Sequence, residues 1–383
     1  MNDANRLKVG FVVPSFDKGG LERVVLELYR ACSQRGIAAT IFSESGIFGE
    51  LAQEVNPADL VGIGNQPNRF FAEISARRIS CLHYNYSTLQ LPEATAAGIR
   101  TVYVIHNYYT WLDDRAFADR AKAIGAASAV VAVSEGTREY FAKRAHWESH
   151  RIEIVLNGAA FSRQCHAPHC DNSARLPGPH VFANVASFHR VKHHMLLLRA
   201  AEILSERGLK FSLLLIGGGG DENYEAEIDA RLGAIGTKSG VRKLGFKSHA
   251  ELQRILASEV DTVVIPSLQE GCSVSALEAL ALGRPVILTD TGAARDVAAK
   301  LPELVTVIRS ARDIGELNAA SIDKLSRTGD CRNLTDLVEA MAVKIESPVS
   351  TVSAAANFPF GMDSFATRHL ATITGATTNP PCF

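Results

Sequence analysis

A surplus of positive charge is what this sequence most plainly lacks. Its 383 residues carry 40 Lys plus Arg against 41 Asp plus Glu, a formal net charge of -1. Nonspecific nucleic-acid binding needs clustered cations facing phosphates, so nucleic acid is not an expected partner. Both signs are spread through both halves, and neither half is a basic module. Long apolar runs are missing too. No stretch approaches the ~18–20 uninterrupted apolar residues of a membrane-spanning helix. No secretory leader is expected, because Lys8-Val9-Gly10-Phe11-Val12-Val13 already reads as a buried strand. Paired cysteines are absent as a pattern: the seven are Cys32, Cys81, Cys165, Cys170, Cys272, Cys331 and Cys382. Odd in number and mostly isolated, they fit reduced thiols in a cytoplasmic protein better than a disulfide framework. No repeat of solenoid length is visible.

What is present is alternation. A single core stops growing near ~250–300 residues, so this length implies two domains. In the first half, short apolar blocks read as strands at Val9–Val13, Ala39–Phe42, Leu60–Ile63, Ile79–Leu82, Thr101–Ile105 and Ala129–Val133. Between the first two, Leu21, Val24, Val25, Leu28 and Cys32 have helical spacing, and Gly36 stands where a helix stop belongs. The second half repeats the scheme with strands at Val181–Ala186, Phe211–Ile216, Val241–Leu244, Thr262–Ile265, Pro285–Thr289 and Leu304–Val307, and with helical patterns such as Met195–Ser205 and Ser273–Leu282. Strands flanked by helices imply parallel sheets covered on both faces. The predicted fold class is therefore α/β, two Rossmann-like doubly wound parallel-sheet domains. We place the first at residues 1–165 and the second at 175–350, with the aperiodic stretch 160–178 between them. A tail, 351–383, carries one helical pattern at Met362–Ile373, expected to pack back on the first domain.

Ligands of open parallel sheets bind outside the carboxyl ends of the strands, and a cleft between two such domains is the default site. Residues that follow strands are therefore the ones to weigh. The strongest pattern is Pro266-Ser267, Glu270-Gly271-Cys272-Ser273, then Glu278 and Ala279-Leu280-Ala281-Leu282-Gly283-Arg284-Pro285-Val286. Gly271 lets backbone approach a ligand, and Cys272 and Ser273 stand near a helix N-terminus, where free N–H groups favour an anion or polar hydroxyls. A purely structural alternative exists: Ser275-Ala276-Leu277-Glu278 fits a capping box.

Taken whole, this pattern resembles retaining glycosyltransferases of family 4, which have the GT-B fold, two Rossmann-like domains facing across a cleft. The resemblance spans about residues 8–300. It implies that Glu278 accepts hydrogen bonds from the ribose hydroxyls of a nucleotide sugar, that Glu270 sits beside the donor sugar, and that Gly271, Cys272 and Ser273 offer backbone N–H groups. Gly19-Gly20 corresponds to the loop over the donor diphosphate and the acceptor. His106, at a strand end, corresponds to a histidine facing the donor sugar; His83 is a weaker candidate. Lys192 aligns with the family's phosphate-binding lysine. The family arginine falls at Ser187, and Arg190 is expected to supply the missing charge. Gly217 and Gly218, and Gly245, Phe246 and Lys247, correspond to loops that hold the base and part of the nucleotide. Asp296 stands where a glutamate is usual. Ser134 and Asn157-Gly158 match landmarks whose simplest roles are a helix cap and a turn.

The function implied is a retaining hexosyltransferase moving sugar from a UDP or GDP sugar to a glycan or lipid-linked glycan, in cell-surface polysaccharide or lipopolysaccharide assembly. The nucleotide sugar is a substrate, and no cofactor or metal is implied. A cytoplasmic location is expected, with Lys143, Arg144 and Arg151 as the place for a peripheral membrane contact. One local cluster points elsewhere: Cys165, His166, His169 and Cys170 are four metal-ligand types in six residues, too close together to wrap one tetrahedral ion. A surface linker is the simpler reading. Two other classes stay open, a catalytically silent nucleotide-sugar-binding protein and a nicotinamide-dependent oxidoreductase. The second lacks the G-x-G-x-x-G spacing of a dinucleotide site.

Overall fold

The computed structural model describes residues 7–17, 19–64, 66–159, 178–236, 240–347 and 358–375. The Cys165, His166, His169 and Cys170 cluster lies outside the described residues. The chain forms two compact units, one made of Met1–Gly158 with Phe360–Phe383, the other of Ala159–Pro359.

In the first unit, the apolar blocks become strands β1 (Lys8–Val13), β2 (Ala38–Ser43), β3 (Leu60–Gly62), β4 (Cys81–Asn85), β5 (Arg100–Ile105), β6 (Ala129–Ala132) and β7 (Ile152–Ile154). They form a parallel sheet in the order β3-β2-β1-β4-β5-β6-β7. The order reverses at β1, where consecutive strands stop being neighbours, so β1 and β4 flank a topological switch point. The helix Gly20–Gln34 packs on β2, and its apolar stripe Val24, Val25, Leu28, Ala31 and Cys32 is buried.

Two sequence expectations shift here. The strand expected at Ile79–Leu82 runs instead over Cys81–Asn85. Residues 78–80 close the preceding helix: Arg78 adopts a left-handed conformation (φ 55°), and Ile79 N–H donates back to Ile74 O. Strand β7 does not stand out in the sequence, because Glu153 interrupts a run only three residues long. Ser134 does cap the helix Glu135–Ala145, its hydroxyl accepting from Thr137 N–H at 3.1 Å.

The helix Met362–Thr374 belongs to this unit and packs on β5 and on Gly20–Gln34. It buries Phe365, Ala366, Leu370 and Ile373, the larger of which stabilise it by roughly 1.5–3 kcal/mol each. Arg100 donates twice to Thr372 O, at 3.2 and 2.9 Å. Gly158 is needed at this contact, since a Cβ there would stand 2.8 Å from Phe365 Cβ.

The second unit has strands β8 (His180–Val185), β9 (Phe211–Ile216), β10 (Val241–Gly245), β11 (Thr262–Ile265), β12 (Val286–Thr289) and β13 (Val305–Ile308). They too are parallel, in the order β10-β9-β8-β11-β12-β13, so the reversal falls at β8 and β11. Strands β11 and β12 are buried along their whole length, as a sheet covered on both faces requires. Among the described residues, no helix is long and apolar enough to cross a membrane.

Candidate functional site

The carboxyl ends of β8 and β11 flank the second unit's switch point, and two candidates from these ends meet. Lys192 ends a short helical turn, Arg190–Lys192, after β8; Glu270 lies in the loop after β11. Lys192 Nζ is 2.6 Å from Glu270 Oε2. Ser267 Oγ also donates to Oε2, at 3.3 Å, and Glu270 N–H reaches Thr291 Oγ1 at 3.4 Å. Both charged side chains keep about a fifth of their surface exposed, 23% for Lys192 and 19% for Glu270. The helix His194–Glu206 starts two residues after Lys192 without a side-chain cap. Its first turn is satisfied within the unit, Met195 N–H donating to Tyr224 OH at 3.4 Å and Leu196 N–H to His193 O at 3.1 Å, so the lysine is the group here that offers positive charge to an anion.

The loops after β8, β9 and β10 are locked together. Gly217 has φ 154° and donates to Gly245 O at 3.0 Å; a Cβ on it would stand 1.9 Å from Ala186 O. Gly218 lies against Phe246, with a built Cβ 3.4 Å from Phe246 Cβ. Four glycines in a row are thus a packed wedge, with Phe188 N–H donating to Gly219 O at 3.0 Å. Phe246 is an apolar ring left 49% exposed just past β10, with Lys247 beside it.

Glu278 sits in the helix Val274–Ala281 and is only 6% exposed. The capping-box reading falls, because Ser273 is the N-cap, accepting from Ala276 N–H at 3.3 Å, while Ser275 Oγ donates to Val185 O. Glu278 Oε1 pairs instead with His249 Nε2 at 2.8 Å, and Oε2 has no hydrogen bond among the described residues. His249 was missed in the sequence, where it is merely the first residue of an amphipathic helix, His249–Ser258. Cys272 is buried. Gly271 O accepts from Ala293 N–H, and Gly292 (φ 56°) lies so close that a Cβ would stand 2.0 Å from Glu270 O and 2.1 Å from Gly271 O.

Arg190 has a different task from the one expected of it. Its guanidinium forks onto Glu227 at 3.1 and 2.7 Å, lies 3.4 Å from Asp221 and 3.2 Å from Asp323, and stacks 5.0 Å over the Tyr224 ring. Three carboxylates already surround and compensate this charge, which turns it away from the phosphate role expected beside Lys192. Its bond to Glu227 is the main reason its pKa is raised.

In the first unit, His106 follows β5, its Nε2 2.9 Å from Asn85 Oδ1 at the end of β4. Burial holds its imidazole well below the usual range, so the ring is neutral at pH 7. His83 is fully buried within β4 and faces the core rather than solvent. Gly19 starts the helix Gly20–Gln34 with φ 154°, and a Cβ there would strike Glu22 Oε2 at 2.5 Å; Gly20 has open space around it. Glu22, two residues into this helix, carries no distinguishing signal in the sequence. Burial, with a smaller contribution from Asp17, pushes its carboxyl up to about 7. Among the described residues, no group of three His, Cys, Asp or Glu is placed to hold a metal ion.

Family models match stretches of the chain within each half. Residues 18–163 match the family model Glycosyltransferase Family 4, and residues 171–325 match Glycosyl transferases group 1. The Bacillus subtilis (strain 168) protein EpsF, named as a glycosyltransferase, is 26% identical over 324 residues, 76% of this chain and 81% of its own. An MMP alpha-(1->4)-mannosyltransferase of Mycolicibacterium hassiacum is 32% identical over 154 residues, 40% of this chain and 35% of its own. Among solved structures, Anabaena Alr3699/HepE in complex with UDP superimposes with a TM-score of 0.68 at 16% identity, covering 96% of this chain and 100% of that one. The two parallel sheets and this likeness establish the GT-B fold.

Proposed function

We propose that this chain, a glycosyltransferase by both of its domain matches, moves a hexose from a UDP or GDP sugar to a glycan or lipid-linked glycan with retention of anomeric configuration. The observation that carries the reading is the 2.6 Å pairing of Lys192 with Glu270. Residues 78 positions apart converge at the strand ends where an open sheet binds its ligand.

Breaking the anomeric C–O bond puts negative charge on the leaving diphosphate. Fixed cations and N–H dipoles aimed at that charge are usually the largest catalytic contribution. Lys192 is suited to this role. Glu270, held by Lys192 and Ser267, sits beside the sugar as it becomes cationic. Glu278 Oε2 accepts from a ribose hydroxyl while His249 holds Oε1. Phe246 offers a face for the base, and Gly217, Gly218, Gly245 and Lys247 line its approach. Gly271, Cys272 and Ser273 form the turn against which the sugar lies, and Gly19 and Gly20 serve the diphosphate and acceptor. A phosphate oxygen of the leaving group takes the acceptor proton, so no separate protein base is invoked, and no step is routed through a metal. The biological setting we infer is cytoplasmic assembly of a surface polysaccharide or lipopolysaccharide, with Lys143 and Arg151 as the membrane-facing group, since Arg144 is turned instead onto Tyr109 O, Leu112 O and Asp114. The matched glycosyltransferase domains favour this reading over the oxidoreductase alternative.

The test is transfer from a panel of UDP, GDP and ADP sugars, with proton NMR of the first product formed. An α-linked product from an α-linked donor is expected; a β-linked product would contradict retention. A second expectation concerns His249. A hydrogen bond to a carboxylate contributes about 1.5–3 kcal/mol, so His249→Ala, which frees Glu278 to turn away from the ribose, should raise the donor Kd about tenfold or more. An unchanged Kd by calorimetry would remove His249 from the site.

A further inference from the structure

A chain of four polar side chains runs through the core of the first unit. His369 Nδ1 lies 3.1 Å from His83 Nε2, His83 Nδ1 lies 3.2 Å from Asn85 Nδ2, and Asn85 Oδ1 lies 2.9 Å from His106 Nε2. The first three residues are 1%, 0% and 0% exposed, so water does not compete for these bonds. His106 alone is partly exposed.

The direction of every bond in this chain follows from one backbone contact. Asn85 Nδ2 also lies 3.1 Å from His83 O, a carbonyl that only accepts. Nδ2 is therefore the amide NH2, and its other hydrogen points to His83 Nδ1, which must carry a lone pair. A neutral His83 is then protonated on Nε2 and donates to His369 Nδ1. On the opposite side, Asn85 Oδ1 accepts, so His106 is protonated on Nε2. The reverse order would set two donors against each other between His83 and Asn85. Neutrality of the two buried rings is consistent with their burial, which holds both pKa values far below the usual range.

We propose that Asn85, His83 and His369 are positioning residues that fix His106 as the Nε2–H tautomer, so that its Nδ1 presents an acceptor and nothing else to the incoming sugar. Nδ1 has no partner among the described residues. A hydroxyl satisfies that atom, whereas a carboxylate at the same place offers no proton and meets its lone pair. This rests on the reading of His106 as a donor-site residue, and it narrows the substrate class to sugars carrying a neutral hydroxyl there, against uronic acids. It also gives the helix Met362–Thr374 a part in the site, since His369 is its contribution, 286 positions from His83.

Nitrogen-15 NMR of the imidazoles in full-length, histidine-labelled protein tests the chain without any assay of transfer. The His106 signals, identified by their loss in His106→Gln, should show a neutral ring protonated on Nε2. Protonation on Nδ1 overturns the proposal even if transfer is robust. The expected pattern bears out the Asn85–His106 bond even if no donor is ever found, which separates it from the functional reading, and the part of the buried rings is decided by the His369 variants. Kinetics supply the second arm. His369→Leu, close in size but without an acceptor, should lower kcat about tenfold with little change in donor KM. His369→Gln, whose amide oxygen can accept from His83, should recover most of that loss. Equal kcat in folded Leu and Gln variants would mean that His369 only packs. If the Leu variant does not fold, His369→Met takes its place in the comparison with His369→Gln.

Discussion

Lys192→Met should lower turnover at saturating donor by about two to three orders of magnitude, the usual cost of removing one preorganised group that stabilises transition-state charge. The cation is the side chain at the β8 end best placed for a leaving diphosphate, because the nearby Arg190 is enclosed by Glu227, Asp221 and Asp323. Fold stability should hardly move. The Lys192–Glu270 pair is partly exposed on both sides, and such pairs contribute about 0–1 kcal/mol. Thermal melting and steady-state rates on the same preparation separate the two effects. Turnover within threefold of wild type would remove Lys192 from the chemistry. Arg190→Met should show the opposite signature, a destabilised second unit with catalysis surviving in whatever fraction stays folded.

The second large effect is on stability against acid. His83, His193 and His194 are fully buried, and burial pulls their pKa values down to about 3, 4 and 3. His369 is displaced in the same direction. In the folded chain these rings stay neutral, while in the unfolded chain they take up protons near pH 6.5. The stabilisation is therefore complete above about pH 6.5 and is lost as pH falls towards 3–4. At pH 5, linkage costs about 2 kcal/mol for each such ring. His83 lies in the first unit and His193 and His194 in the second, so both should weaken. Urea unfolding at pH 7.5, 6 and 5 should show midpoints falling steeply below pH 6.5, and a midpoint unchanged at pH 5 would mean that these rings are not buried neutral. His194 refines the test. It is enclosed by Phe188 and Tyr224, and neither ring nitrogen has a partner among the described residues. His194→Leu should flatten the acid dependence of the second unit at little cost at neutral pH.

Most of the fold could be read from local pattern because both sheets are parallel and largely covered, which turns each strand into a short apolar block. Strand β7 was hidden for a local reason, a glutamate in a three-residue edge strand. The Glu270 and Glu278 pair was legible because one strand–loop–helix unit carries both at fixed spacing. What could not be read is what depends on distant parts of the chain. His249 reaches Glu278 from a different helix, and His369 comes back to His83 from the far end of the sequence. Arg190 shows the limit most clearly. Its position two residues from Lys192 suggested a shared phosphate, yet the side chain follows the carboxylates of two other helices and not its neighbour in sequence.

The central claim is that the second unit holds a nucleoside diphosphate through Lys192 and Glu278. Calorimetric titration of UDP, GDP and ADP, with NAD and NADP as controls, tests it directly in wild type and in Glu278→Ala. One-to-one binding of at least one nucleoside diphosphate is expected, weakened about tenfold or more in Glu278→Ala by loss of the ribose bond to a charged acceptor, with no binding of the nicotinamide nucleotides. Binding of NAD or NADP alone, or a nucleoside diphosphate affinity that Glu278→Ala leaves unchanged, would contradict it.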